Sequence, residues 1–294
     1  MLEITKQSEN EVNVCGLLNE LEVVEGVTAD GREYVRATAK IRVDQDISGV
    51  ATESEIPVRF FSMRKKKDGS NNKIYDSILQ TKERFTSAAA AEDESQASRV
   101  SITGTLEENT YFGPDGTEYN GFQVSANFLN KARPTDKEKA QFRVSGVIAN
   151  IHPEEKDDEE TGRLIIQFVI IGYQGKANVV NMVAADSAAE FIEKNWSVGD
   201  TVTATGRINL NYKTIVITEE QGFGEPIERE RTISNRELVI TGGSPSGLDE
   251  ALSYDADDIK VALANRKSNL EEQKANAGAK KTKKSASTKK EFDF

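Results

Sequence analysis

The segment Tyr34-Val-Arg-Ala-Thr-Ala-Lys-Ile-Arg-Val alternates apolar and polar residues. That is the pattern of a strand whose successive side chains point to opposite faces. Val35, Ala37, Ala39, Ile41 and Val43 share one face; Tyr34, Arg36, Thr38, Lys40 and Arg42 share the other. The second face thus carries a ring and three cations, a combination that can stack on planar groups and neutralise phosphates. Ile56-Pro-Val-Arg-Phe-Phe repeats the pattern, burying Ile56, Val58 and Phe60 and turning Arg59 and Phe61 outward. Arg64, Lys65, Lys66 and Lys67 follow in a loop rich in Gly and Asn, so residues 59–73 hold six cations against Asp68 alone. Further on, Tyr111-Phe-Gly-Pro-Asp-Gly-Thr-Glu-Tyr reads as a hairpin with a Pro-Asp-Gly turn. It gathers Tyr111, Phe112 and Tyr119 at one tip. A solvated strand face, a solvated loop and cross-strand aromatic packing would use the same residues for purely structural ends.

Catalytic chemistry finds little to work with. The 294 residues include one Cys, Cys15, and one His, His152. A disulfide framework is impossible, and Cys/His zinc sites lack ligands. Imidazole acid–base chemistry would rest on His152, which reads as a surface residue at a strand end. There is no Gly-x4-Gly-Lys-Ser/Thr loop, no His-Glu-x-x-His and no Gly-x-Ser-x-Gly. The acidic run 154–160 lacks the Asp-x-Asp-x-Asp-Gly spacing of a calcium loop. No enzyme activity, metal or cofactor is expected. The N-terminus lacks a basic start followed by an apolar run, and no window is apolar enough for a membrane span, so a cytoplasmic protein with Cys15 reduced is expected.

The net charge of −11 taken whole argues against a nucleic-acid ligand. Its distribution weakens that argument. Residues 59–73 sum to +5 and residues 271–294 to +3, while acids concentrate elsewhere. The global sign is therefore a poor guide to the ligand of one face.

The elements that must carry these residues form a repeat. Four stretches of alternating β-formers each surround a glycine: Gly16, Gly104, Gly146 and Gly206. An internal Gly in a strand marks a bulge or sharp bend. In the first half, strands are expected at 11–24, 32–43, 55–61, 99–106 and 119–131, with a helical stretch at 72–90. In the second half they fall at 141–151, 163–172, 177–184, 200–210 and 237–241, with a helix at 186–195. Five strands with a helix between the third and fourth is the order of an OB-fold, a small Greek-key barrel. The strand Leu164-Ile-Ile-Gln-Phe-Val-Ile-Ile is apolar on both faces, so it must be covered twice, by the neighbouring domain, the C-terminal helix or another subunit. A long hairpin over Tyr212–Glu237, with Arg229, Arg231 and Arg236, is expected to reach towards ligand or a neighbour.

The stretch Trp196-Ser-Val-Gly-Asp-Thr-Val-Thr-Ala-Thr-Gly-Arg-Ile resembles the entry into the fourth strand of bacterial and phage single-stranded DNA-binding proteins. The element order of both halves resembles a tandem version of that fold. The resemblance implies a mainly β chain of two tandem OB-folds, residues 1–132 and 133–246. A C-terminal helical segment at 247–274 follows, with Leu252, Ile259, Leu263 and Leu270 as packing residues, and then a disordered Lys-rich tail at 275–294. The tail ends in Glu291, Phe292, Asp293 and Phe294, similar to the acidic tip with which that family docks replication and repair partners. Here only two acids flank Phe292. The expected function is sequence-independent binding of single-stranded DNA in replication or recombination, with the first domain as the main site and an affinity that falls steeply with salt. A tandem-OB interaction module without nucleic acid and an annealing accessory are the alternatives. Oligomer formation stays open.

Overall fold

The computed structural model describes residues 6–286 except 48, 114, 157–158, 220–226 and 250–251, and omits the side chains of 212–234 and 276–286. The expected docking tip Glu291–Phe294 lies outside the described residues, as do the side chains of Arg229 and Arg231.

The chain is mainly β. The first half runs β1 (Asn10–Val27), β2 (Glu33–Ile47), β3 (Val50–Met63), α1 (Lys73–Leu79), α2 (Thr81–Arg84), β4 (Arg99–Glu108), β5 (Tyr111–Phe112), β6 (Glu118–Tyr119), β7 (Phe122–Ala126) and β8 (Asn130–Lys131). Its main strands pair in the order β1-β2-β3-β7-β4, and β4 pairs back onto β1, closing a five-stranded ring. The β3–β7 contact is parallel; the other four are antiparallel. The second half runs β9 (Lys139–Lys156), β10 (Glu159–Ile171), β11 (Ala177–Ala184), α3 (Asp186–Asn195), β12 (Thr201–Glu219) and β13 (Ile227–Gly243). It closes the same way, β9-β10-β11-β13-β12 and back to β9, with β11–β13 as its parallel contact. The first strands of the two rings pair with each other from Asn10↔Val144 to Cys15↔Lys139. One eleven-stranded sheet therefore runs through both. Finally α4 (Ala256–Ala286) follows.

Alternation fills each ring. Val35, Ala39, Ile41, Ile56, Val58 and Phe60 are buried in the first; Ile166, Phe168, Ile170, Val180 and Met182 are buried in the second. The four repeated glycines occupy matching places. A Cβ at Gly16 in β1 would stand 2.1 Å from the Arg42 carbonyl oxygen, and one at Gly146 in β9 would stand 2.6 Å from that of Val169. At Gly104 in β4 and Gly206 in β12 the Ser125 and Val239 carbonyls lie at 2.4 and 2.0 Å. Neighbouring backbone approaches each glycine too closely for any side chain, and register shifts mark bulges at Leu18/Glu20, Gln167/Phe168 and Thr205/Gly206.

Several elements differ from expectation. The helical stretch at 72–90 is two short helices and a 3-10 turn at Ala88–Ala90. Asn72 caps α1 through the Ile74 amide, and Phe85 turns extended with its ring buried. Tertiary burial of Phe85 outweighs the helix preference of the alanines after it. The strand at 119–131 is divided among β6, β7 and β8. α4 starts at Ala256 and runs past Lys274 to Ala286, because Ala, Lys, Glu and Gln are strong helix formers. Leu252 lies outside it, 52% exposed. Among its described side chains, Ile259 and Ala262 are buried, packed with Val147, Val169, Ile171 and Ala177. The two-sided apolar strand is thus covered inside by the ring core and outside by α4. The cover is thin. One Ile is worth about 2 kcal/mol when buried, so the polar contacts of α4 matter to its docking.

Among the described residues, no helix is long and apolar enough to cross a membrane. Cys15 is buried, and that burial pushes its thiol up.

Candidate nucleic-acid interface

The β2–β3 register sets the outer face of the first ring. Arg36 lies opposite Phe61, Thr38 opposite Arg59 and Tyr34 opposite Met63. Arg36, Thr38, Arg59 and Phe61 line a groove of about 1140 Å³ together with residues of β1, β4 and β7. Phe61 is 56% exposed, a large ring held open to solvent. The Tyr34 ring tilts against it, centroids 5.7 Å apart at 32°. Tyr34 in turn lies over Gly26, where a Cβ would come within 2.5 Å of the ring. Tyr34 therefore props Phe61 from behind, an aromatic covering a strand glycine. Arg59 is aimed by a relay. Its Nη1 donates to Gln123 Oε1 at 2.6 Å, and Gln123 Nε2 donates to Glu107 Oε2 at 3.1 Å.

Of the other sequence-derived cations, Lys40, Arg42, Arg64 and Lys65 are engaged elsewhere. Lys40 Nζ lies 2.8 Å from Glu20 and 3.5 Å from Glu55, and its hydrogen bond to Glu20 holds the ammonium above its ordinary value. Arg42 pairs with Glu94 and lies 3.8 Å from Glu53; the Glu94 bond likewise raises it. Arg64 pairs with Glu33 at 2.7 Å, and Lys65 donates to Asn71 at 2.8 Å. Lys66 and Lys67 are exposed on the same loop, and none of the four loop cations lines the groove. Exposed pairs of this kind are weak and screened by salt. The groove lining itself holds Arg36 and Arg59 against Glu11, Glu22 and Glu107. Its chemistry is a ring, amides, hydroxyls and two guanidiniums rather than a field of positive charge.

The hairpin forms as expected, and its aromatics meet each other. Tyr111 pairs with Tyr119, their rings stacked at 5.0 Å and 12°, both exposed. Lys274 of α4 lies over Phe112, 5.8 Å from the ring centroid. The three hairpin rings do not line the groove. Nearby, Arg266 of α4 grips Glu108 at the end of β4 with two hydrogen bonds, 2.6 and 2.7 Å. Burial pushes Glu108 up, but Arg266, Thr110 and the Val179 amide outweigh it and hold the carboxyl below its ordinary value. Arg236, on the long hairpin, stacks on Phe122 and donates to its carbonyl, so it ties the second ring to the first.

Gln123, Ser125 and Glu107 escaped the sequence reading. Alternation in Phe-Gln-Val-Ser-Ala places Gln123 and Ser125 on the outer face, a signal that a search for cations passes over. Asn127 also lines the groove, and its neighbour Phe128 is 47% exposed.

The wild-type single-stranded DNA binding protein from Thermus aquaticus has a similar structure. The TM-score is 0.53 at 13% sequence identity, covering 85% of this chain and 98% of that one. A deletion mutant of the same Thermus aquaticus protein scores 0.50, also at 13% identity and over 85% and 98% of the two chains. The likeness is one of fold. No curated protein matches the sequence. A family model described as YorF matches residues 8–276.

Proposed function

The chain belongs to the YorF family, and from its fold and its open groove we propose that it binds single-stranded DNA without sequence preference. Each five-stranded ring is read as an OB-fold, the first being the main binding domain. The observation that carries the reading is Phe61, exposed between Arg36 and Arg59 in a groove large enough for several bases. A base stacks on Phe61 while the guanidiniums meet flanking phosphates. Gln123, Thr105 and Ser125 offer donors and acceptors to base edges. The protein acts by binding rather than catalysis, in replication or recombination, in the cytoplasm of a bacterial or phage-infected cell. Its tip residues Glu291–Phe294 dock partner proteins. The three groove glutamates favour a second reading, a module that docks a basic peptide.

Oligo-dT titration decides between the two. With Arg36 and Arg59 as the only phosphate contacts, log affinity falls with log salt at a slope of about −1.4, and each loop cation that joins adds about −0.7. This is shallower than the cation count of the sequence implies. Phe61→Ala removes a stacking face worth about 1–3 kcal/mol, roughly 5- to 150-fold in affinity. No binding of oligo-dT at low salt by the folded protein rejects the proposal and leaves the peptide module.

A further inference from the structure

The groove of the first ring does not end there. A second cleft, about 1050 Å³, shares Asn10, Thr105 and Glu107 with it. One wall is α4, with Asn265, Asn269 and Gln273. The opposite wall is the turn Gly172–Lys176 between β10 and β11 with Ala177 and Asn178 at the start of β11, and the end of β4 closes the third side.

The chemistry of this cleft matches that of the groove. Tyr173 is 70% exposed at the turn, a ring with an open face. Lys176 is exposed beside it. Gln174 is held in the left-handed region at φ 57, a conformation non-glycine residues adopt rarely and which the surrounding turn must enforce. Asn178 is buried, and its side-chain Oδ1 has no hydrogen-bond partner among the described residues. A buried acceptor left unpaired in a ligand-sized cleft marks a place where a donor is missing. The acids here are partly spoken for, since Glu108 is neutralised by Arg266. A cleft rich in side-chain amides, with one open ring and with Lys176 beside the Arg266–Glu108 pair, suits the edges, face and backbone of a nucleotide.

We propose that a single strand leaving the first groove past Asn10, Thr105 and Glu107 continues into this cleft. It then runs between the turn and α4, with Tyr173 stacking a base and Lys176 meeting a phosphate. The second ring and α4 would then form a second binding segment continuous with the first. The inference rests on the single-stranded DNA reading above and extends it to the region where the outer face of the second ring is covered.

The test uses the full chain and two probes, dT6 and dT24, chosen because one OB-fold holds about 4–16 nucleotides. Tyr173→Ala/Lys176→Glu changes two exposed residues of the turn, so folding is left intact and can be checked by circular dichroism. The expected result is wild-type affinity for dT6 and a loss of about tenfold or more for dT24. Unchanged affinity for dT24, or equal loss on both probes, overturns the second segment while leaving the first groove standing. Absence of wild-type binding to either probe is a different failure, that of the single-stranded DNA reading itself. A dT24 carrying 5-iodouracil supplies an independent readout. Photocrosslinking to the peptide that contains Tyr173 is expected, and crosslinks confined to β2 and β3 count against the proposed route.

Discussion

The two rings share a skeleton and differ in what they do with its outer face. In both, the first strand crosses the second at a glycine, Gly16 or Gly146, and the fourth crosses the fifth at another, Gly104 or Gly206. Both join their third and fifth strands by a parallel contact. On the second strand, however, the first ring turns Arg36 and Thr38 into an open groove. The second ring turns Val169 and Ile171 under α4. Residues that close a ring are fixed by steric contact and therefore recur. Residues on the outer face answer to whatever lies against it, so they diverge. A binding face is best sought where two repeats of one skeleton stop matching.

The largest effect tests the shared part. Gly206→Ala places a methyl 2.0 Å from the Val239 carbonyl oxygen, and Gly16→Ala places one 2.1 Å from that of Arg42. Neither neighbour is a flexible side-chain end, so the strands must part, at a cost of about 1–3 kcal/mol each. Urea unfolding should show both variants destabilised to a similar degree. A neutral Gly16→Ala beside a damaging Gly206→Ala would break the equivalence of the rings.

A smaller effect tests the difference. Arg36→Ala/Arg59→Ala removes the two groove cations and should flatten the salt dependence of oligo-dT binding by about 1.4 in log–log slope. Lys40→Ala/Arg42→Ala changes cations already paired with Glu20, Glu55, Glu53 and Glu94 and should flatten it less. Equal changes in slope would mean that phosphates do displace those carboxylates, which would lengthen the binding face along β2.

The sequence carried the skeleton further than the face. β11 and α3 fall at the residues expected, 177–184 and 186–195. A short apolar run rich in Val in the one and near-helical spacing of Ala189 and Ile192 in the other mark them out. The internal glycines were legible as irregular strand positions, although the cause, backbone crossing backbone, needs the second strand in view. Alternation also placed Arg36, Arg59 and Phe61 on one face. It could not reveal that Lys40 and Arg42 face acids, because Glu20 belongs to β1, Glu53 and Glu55 to β3, and Glu94 to the connection before β4. A strand read alone carries no register with its neighbours. The two-sided apolar strand announced that a cover was required, while the choice of α4 depended on contacts some 90 residues further along the chain. Arg266 and Glu108, the polar contact that holds the cover to the first ring, had no local signal at all.

That contact yields the smallest effect, and it distinguishes the covered ring from the open one by pH. The Glu108 carboxyl is held below its ordinary value in the folded chain, so its contribution is fully present above the unfolded value, about 4.3, and is lost as pH falls through the lower folded value. Arg266 stays charged throughout. The hydrogen bonds of α4 to β4 should therefore hold steady from neutral pH down to about 5 and weaken below 4. Glu94, partner of Arg42 on the open face, is lowered too, but that pair is exposed and yields to salt at neutral pH. Hydrogen exchange of α4 amides, corrected for intrinsic rates, is the measurement. Protection around Arg266 should fall on acidification yet resist high salt at pH 7. Protection lost to salt alone would mean that α4 is held by surface charge, and that the cover over the second ring is no firmer than the ion pairs on the first.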